Sequence, residues 1–296
     1  MAESQAEEQE LSSLMWRDTL AFVSEVRKNR TALIGFVILI PIITLSAFAP
    51  YLAPYDVTEQ DVVNKFAEPS VNHPFGTDQL GRDLLSRVMV GGRTSLFLGV
   101  MATALGLLLG IPPALLAAYS GGRVDEIIMR TVDILVSVPG LLFALLILTV
   151  LSSNIWNAIF AIGFISAPRI ARVVRGSALS VKNEEFMQAA QVRGESDIYI
   201  IFGEMLPNVL APIIVEASIR VGFAILFGTS LSFLGLGTQP PNPDWGYMIA
   251  QSREHLWSSP WPLVWPSIAL VLTVIGFNVL GDGLRDILDP QMGGEH

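Results

Sequence analysis

The strongest constraint on this fold is a series of long apolar segments separated by polar stretches. They lie at about residues 31–49, 95–118, 134–151, 155–167, 209–234 and 261–279. A helix needs about 20 apolar residues to cross the hydrocarbon core of a bilayer. Only 15% of the residues are charged and 51% are hydrophobic, whereas soluble domains average about 25% charged residues. The sequence therefore predicts an all-α, polytopic membrane protein with six transmembrane helices.

The distribution of lysine and arginine predicts the orientation of these segments, because basic residues favour the cytoplasmic side. With the amino terminus inside, the inner segments hold twelve basic residues and the outer segments hold five. The inner set includes Arg169, Arg172 and Arg175, which follow the fourth segment at three-residue spacing. Both termini are therefore predicted to be cytoplasmic. The five outer basic residues are Lys65, Arg82, Arg87, Arg93 and Arg253.

Several kinds of chemistry have no residues to support them. The chain has no cysteine and a formal net charge of −9, which excludes disulfides and argues against nucleic acid as a partner. Its three lysines never stand in a GxxxxGK[ST] loop, so the chain is predicted not to bind ATP itself. Its three histidines are isolated, and no metal site is predicted. Together with the lack of a Gly-x-Ser-x-Gly elbow, this makes an enzyme the weak interpretation.

A polar stretch at residues 184–208, here named the knob, interrupts the apolar pattern. Its first half has good helix formers, with Phe186, Ala189 and Ala190 sharing part of one face. Gly194 is expected to end this helix in a left-handed conformation. Ser196 or Asp197 can cap a second helix. The apolar positions of that helix are Ile198, Ile201, Phe202 and Met205. The pattern predicts a compact unit whose alanine face suits a cleft in another protein, and an ordinary solvated loop is the alternative.

The knob resembles the EAA loop of ABC-importer permeases, in which Glu-Ala-Ala is followed at fixed spacing by Gly and then by Leu-Pro. Here Gln188 replaces the Glu of that motif, and Glu204 stands where the general pattern has Ile. The small residues and the glycine keep their places. The resemblance implies that the knob docks in a groove of a cytoplasmic ATPase. It assigns this coupling role to Glu185, Gln188, Ala189, Ala190, Gly194, Leu206 and Pro207.

Three further motifs narrow the resemblance to one branch. The segments 73–83, 231–241 and 280–290 are similar, in sequence and order, to hallmarks of the C-type permease of dipeptide/oligopeptide (peptide/nickel) ABC importers. The match runs from about residue 29 to residue 290. It implies the type I ABC-importer permease fold in the cell membrane, importing di- or oligopeptides. Nickel chelates or oligosaccharides are alternative substrates within that branch.

The family resemblance also implies a set of partners. These are a second permease subunit forming a heterodimer, two cytoplasmic ABC ATPases and an external substrate-binding protein. ATP and magnesium would bind the ATPases, and this chain would bind no cofactor itself. The expected division is a cytoplasmic leader with an amphipathic helix (1–30), a first span and external loop (31–93), a permease core (94–284) and a cytoplasmic tail (285–296).

One pair of opposite charges falls inside a predicted span. Glu216 and Arg220 lie four residues apart, so they share a helix face near the middle of the fifth segment. Charges at that depth are costly unless they are paired or hydrated. The pair could line the translocation path or could simply hold the span against a neighbour, and the sequence favours neither. An ion-coupled secondary transporter, which would also use intramembrane charges, is the less favoured alternative function.

Overall fold

The computed structural model describes residues 24–288, and it is built from helices. Within that range no β-strand forms, apart from a single bridge between Thr77 and Asp83. The prediction of an all-α chain is therefore confirmed. The predicted leader helix lies almost wholly outside the described residues, as does the end of the tail. The principal helices are α1 (Arg30–Ala47), α2 (Leu84–Ser120), α3 (Gly122–Ser137), α4 (Gly140–Leu151), α5 (Ile155–Lys182), α6 (Glu185–Val192), α7 (Leu210–Phe233), α8 (Trp245–Ser252) and α9 (Trp261–Leu288).

Among the described residues, five helices are long and apolar enough to cross a membrane by themselves, namely α1, α2, α5, α7 and α9. The predicted third span, 134–151, does not form one straight helix. It is divided between α3 and α4, whose axes are bent by 85°. The break falls at Val138 and Pro139, because a proline disfavours helical backbone in the residue before it, and Val138 is extended with ψ 128°.

The α3–α4 pair nevertheless connects opposite ends of the bundle. Helices α2 and α5 run parallel: Phe97 contacts Trp156 edge-on at 5.8 Å in their first halves, and Gly121 lies beside Lys182 at their far ends. Gly121 precedes α3, whereas the turn after Leu151 leads into the Trp156 end of α5. The chain between them therefore traverses the bundle once, and the bent pair makes the sixth crossing.

Two helices extend beyond the apolar segments predicted as spans, because polar residues continue them. Helix α2 begins at Leu84 rather than near residue 95, since Asp83 caps it by accepting the amide of Ser86 at 2.7 Å. Helix α5 runs on to Lys182, well past the predicted end of span four. Its basic residues are stabilised there by α3, where Arg172 pairs with Asp133 at 2.8 Å.

Small residues allow α2 and α5 to pack closely. A Cβ atom added at Gly110 would lie 2.6 Å from the carbonyl oxygen of Ala167, and one at Gly163 would lie 2.9 Å from that of Ala102. In a membrane, helices gain little from hydrophobic burial against each other, so such close backbone approach supplies much of the packing energy. This parallel pair holds α5 in place against α3 and α7, where the candidate site lies.

The segment 53–83 folds back onto the start of α2. Asp83 accepts the amide and hydroxyl of Ser86 and lies 3.0 Å from the His73 ring nitrogen, while Ser86 accepts the amide of Tyr55. Arg87, which is 1% exposed, donates to the carbonyl of Val57. The 73–83 motif therefore has a structural role in this chain, as a cap on α2.

Candidate functional site

The first helix of the knob, α6, packs its own side chains against the bundle. Met187 and Ala190 are fully buried, in a cluster with Ile200 and Met205, whereas Ala189 is exposed. The two alanines therefore lie on different sides of α6. The expectation of one alanine face was wrong, because neighbouring residues of a helix point about 100° apart and the knob's own core takes Ala190.

Gly194 ends α6 as the sequence predicts. Its φ is +76°, which favours glycine, and it forms a Schellman motif. The amide of Glu195 donates to the carbonyl of Ala190 at 3.3 Å, and the amide of Gly194 donates to that of Gln191 at 3.0 Å. No atom lies within 4 Å of a Cβ added at Gly194, so backbone conformation alone calls for glycine here.

The second half of the knob is capped by Ser196, whose hydroxyl accepts the amide of Tyr199 at 3.3 Å. Its middle, Ile200–Met205, is a π-helix. That wider winding changes which side chains point inward. Ile200 is buried at 1% exposure, while Ile198 and Phe202, which were expected on the apolar side, are 72% and 48% exposed.

An ion pair ties the two halves of the knob together. Arg193 lies 3.0 Å from Glu204, across the Gly194 turn, and 3.7 Å from Glu195. Glu204 is the position at which the EAA pattern has Ile, so this departure supplies an internal brace. Gln188, the other departure, is exposed, and its side-chain amide donates to the carbonyl of Asn183 at 3.4 Å.

A group of apolar side chains on the knob is exposed although the knob lies outside the spans. We name this group the knob patch. Proteins rarely leave such clusters uncovered unless they bind a partner. Leu206 is partly buried and Pro207 exposed, at the point where the knob joins α7. The knob patch consists of Phe186 (36% exposed), Val192 (88%), Ile198 (72%), Tyr199 (48%) and Phe202 (48%).

The intramembrane charges of α7 form the pair that the sequence predicts. The Arg220 guanidinium lies 2.5 Å from the Glu216 carboxylate, and their side chains are 18% and 9% exposed. The Arg220 guanidinium also lies 6.0 Å from the centre of the Phe223 ring. Glu216 is about 9 Å and Arg220 about 15 Å along α7 from Leu210, well within the depth of a bilayer.

Sequence reasoning missed a third charge at the same level. Arg169 of α5 lies 5.7 Å from the centre of the Phe223 ring, on the other helix. It was counted with Arg172 and Arg175 as an inner residue, but the continued helix places it about 21 Å from Ile155, near mid-bilayer. The three arginines look alike in sequence. Only the paths of α3 and α7 distinguish Arg175, which pairs with Asp125 at 2.5 Å, from Arg169.

A cavity of about 440 Å³ lies between the inner halves of α5, α7 and α9. Glu216 lines it from α7, Val173 and Ser177 from α5, and Arg285 from α9. The two members of the pair therefore differ in their access to the cavity, since Glu216 lines it while Arg220 contacts Phe223. No group of three or more metal-ligating side chains occurs among residues 24–288.

A buried carboxylate lies near the start of α2 and the end of α7. Asp244, 3% exposed, caps α8 by accepting the amide of Tyr247 at 3.0 Å through Oδ1. Its Oδ2 has no hydrogen-bond partner in the described part of the chain, and neither do the hydroxyls of Thr229 and Thr238 around the same small cavity. Burial raises the pKa of the Asp244 carboxyl above its ordinary value, opposed by the amide of Tyr247 and the hydroxyl of Ser232.

We expect Asp244→Asn to unfold at the same or a higher temperature than the wild type at pH 8, because it keeps the cap and removes a buried charge. Because the pKa of this carboxyl is raised in the folded state, protonation of Asp244 stabilises the folded wild type. This stabilisation is fully present below about pH 4 and is lost as the pH rises through the folded-state pKa. The advantage of Asp244→Asn should therefore shrink as the pH is lowered from 8 toward 4. Asp244→Ala, which loses the cap, should cost about 1 kcal/mol. Thermal unfolding in detergent tests this, and a lower midpoint for Asn than for Ala at pH 8 would contradict it.

Comparisons with known proteins agree with this architecture. Residues 98–294 match the family model for the inner membrane component of binding-protein-dependent transport systems. Residues 15–69 match the model for the N-terminal transmembrane domain of oligopeptide transport permease C. In the MetNI methionine ABC transporter, a chain with 17% identity superposes with a TM-score of 0.58 over 69% of this chain and 96% of its own. At that identity the likeness shows the fold alone, which is that of a type I ABC-importer permease.

Curated relatives cover nearly the whole chain. The dipeptide transport system permease protein DppC of Alkalihalophilus pseudofirmus is 40% identical over 94% of this chain and 90% of its own. The oligopeptide transport system permease protein OppC of Bacillus subtilis is 39% identical over the same shares. The glutathione transport system permease protein GsiD of Escherichia coli is 42% identical over 92% of this chain and 90% of its own. This chain therefore belongs to the family of inner membrane components of binding-protein-dependent transport systems, as a permease of the ABC-importer type.

Proposed function

We propose that this chain is a transmembrane permease subunit of an ATP-driven importer that moves di- or oligopeptides delivered by an external substrate-binding protein. The observation that carries this proposal is the 40% identity to a dipeptide permease over 94% of the chain. The match of residues 15–69 to a domain of oligopeptide permeases supports the same substrate class, because that region lies outside the general transport model.

The energy for transport comes from partner subunits. The chain has no phosphate-binding loop, so ATP and magnesium are bound by two cytoplasmic ABC ATPases. The knob patch docks in those ATPases, with Gln188 and Ala189 on the exposed side of α6 and Gly194 shaping the turn. Ala190 supports this surface from within. Docking is favourable because it removes the exposed apolar side chains of the knob patch from water.

A second permease subunit of similar fold completes the translocation path. Glu216 and Arg220 belong to that path, and the cavity between α5, α7 and α9 forms part of its inner half. The low exposure of the pair and the position of Glu216 at the cavity wall support this role. Peptides carry a charge at each end, so a path with fixed charges of both signs suits them.

The protein lies in the cell membrane with both termini in the cytoplasm. Since the chain has no cysteine, single introduced thiols report their own location. We expect Asn72→Cys and Asn242→Cys, both at exposed positions, to react with membrane-impermeant reagents from outside. Val192→Cys on the knob should react only after the membrane is opened. The opposite labelling pattern would overturn this orientation.

Purification through a tag on this chain tests the proposed function. The isolated complex should contain a second permease and two ATPase subunits, and peptide-loaded binding protein should stimulate its ATP hydrolysis. Unloaded binding protein is the control. Recovery of this chain without any ATPase, from membranes in which the neighbouring subunits are expressed, would contradict the proposal.

A further inference from the structure

Arg169 is a mid-membrane cation with no anion. Within residues 24–288 its guanidinium makes no hydrogen bond and no ion pair, and its one contact of note is the face of Phe223 at 5.7 Å. It is partly buried. A charged side chain at this depth is costly, and such residues mark substrate or ion pathways. A cation–π contact offsets only part of that cost.

The surrounding charges do not neutralise Arg169. Arg220 lies near the same ring, 6.0 Å from its centre, but its charge is matched by Glu216 at 2.5 Å. Counting Arg169, Arg220 and Glu216, the cluster carries a net charge of +1. Asp133 and Asp125, which face α5 from α3, are taken by Arg172 and Arg175. The cluster therefore has room for one negative charge.

The cavity lies next to this cluster and shares Glu216 with it, while Arg169 lies beyond the cavity wall. Val173 and Ser177 line it from α5, one and two turns below Arg169 on the same helix face. Glu216 lines it from α7, one turn below Arg220. A solute in this cavity would meet Glu216 and the exposed Arg285 at its wall, and would lie one helical turn from the uncompensated Arg169.

We infer that Arg169 is the anion-binding residue of the translocation path and that its ligand is a carboxylate of the transported peptide. This inference rests on the proposed function. A guanidinium offers paired N–H donors that match the two oxygens of a carboxylate. Every peptide with a free C-terminus carries that group. Glu216, which already neutralises Arg220, keeps the site from becoming strongly cationic, so the peptide is held without being trapped.

The test measures ATP-dependent uptake into proteoliposomes with the whole complex and saturating peptide-loaded binding protein. Two peptides are compared, identical except for a free or an amidated C-terminus. Arg169→Gln should lower uptake of the more anionic peptide about tenfold, the loss of one charged hydrogen-bonding partner, and leave the other within about twofold. Arg169→Lys should retain most of the preference.

Arg172→Gln is the matched control, because it removes the same charge from the same helix at a residue that pairs with Asp133. It should not change the preference. Equal losses for both peptides in Arg169→Gln, or a lower yield of assembled complex, would mean that Arg169 pairs with another subunit, and would overturn the inference. So would uptake unchanged by Arg169→Gln. Failure of the wild-type complex to take up either peptide with ATP would instead refute the proposed function and the inference with it.

Discussion

Arg220→Ala should greatly reduce the amount of assembled complex, whereas the double variant Glu216→Gln/Arg220→Gln should recover much of it. The single change leaves the Glu216 side chain, 9% exposed, without its partner inside the membrane. Removing one member of a buried pair typically costs about 3–5 kcal/mol, but replacing both is far milder. Fluorescence-detected size exclusion of detergent extracts measures the yield of complex.

The double variant also distinguishes the two roles of this pair. If the pair only holds α7 in place, the recovered complex should transport all peptides with the wild-type preference. If it belongs to the translocation path, uptake of charged peptides should change relative to neutral ones, and this is the result we expect because Glu216 lines the cavity. Additive losses in the two single variants, with no recovery in the double, would show that the residues do not interact.

Ile198→Glu and Phe202→Glu on the knob patch should abolish peptide-stimulated ATP hydrolysis and uptake while the chain remains folded and inserted. Both side chains are exposed, at 72% and 48%, so a charge there disturbs the surface and not the core. A charge in the desolvated centre of an interface has no partner and prevents docking. The measurements are stimulated ATP hydrolysis by the purified complex and uptake in proteoliposomes.

Two controls separate docking from folding. Val63→Glu changes an equally apolar residue, 92% exposed on the outer segment, and should leave coupling intact. Ala190→Trp introduces bulk at a fully buried position of the knob and should reduce the yield of folded chain instead of uncoupling it. Normal coupling in both Ile198→Glu and Phe202→Glu would refute the role of the knob patch.

The set of apolar helices followed from the sequence, because apolar length acts along the chain. Local chemistry was also readable: Gly194 takes the left-handed turn, and Ser196 caps the next helix. The helix ends at residues 84 and 182 could not be read from the sequence, since they depend on a cap and on ion pairs with other helices. A polar run looks like a loop until its partners, such as Asp133 for Arg172, are known.

The ion pair within one helix was predicted from the sequence, whereas the contacts between different helices were not. Glu216 and Arg220 are four residues apart on one helix, so their pairing could be read directly. The proximity of Arg169 to Phe223 joins residues of α5 and α7 and depends on how those helices cross. The exposure of Phe202 likewise depends on the π-helix at Ile200–Met205, which the spacing of apolar residues does not predict.

The most direct test of the account is the energy source for uptake of a labelled dipeptide into proteoliposomes that contain the complete complex. With peptide-loaded binding protein outside and ATP with magnesium inside, uptake should proceed after ionophores have dissipated all ion gradients. It should stop when ATP is replaced by a non-hydrolysable analogue. Uptake that follows an imposed proton or sodium gradient without ATP would contradict the account and would identify the chain as part of an ion-coupled carrier.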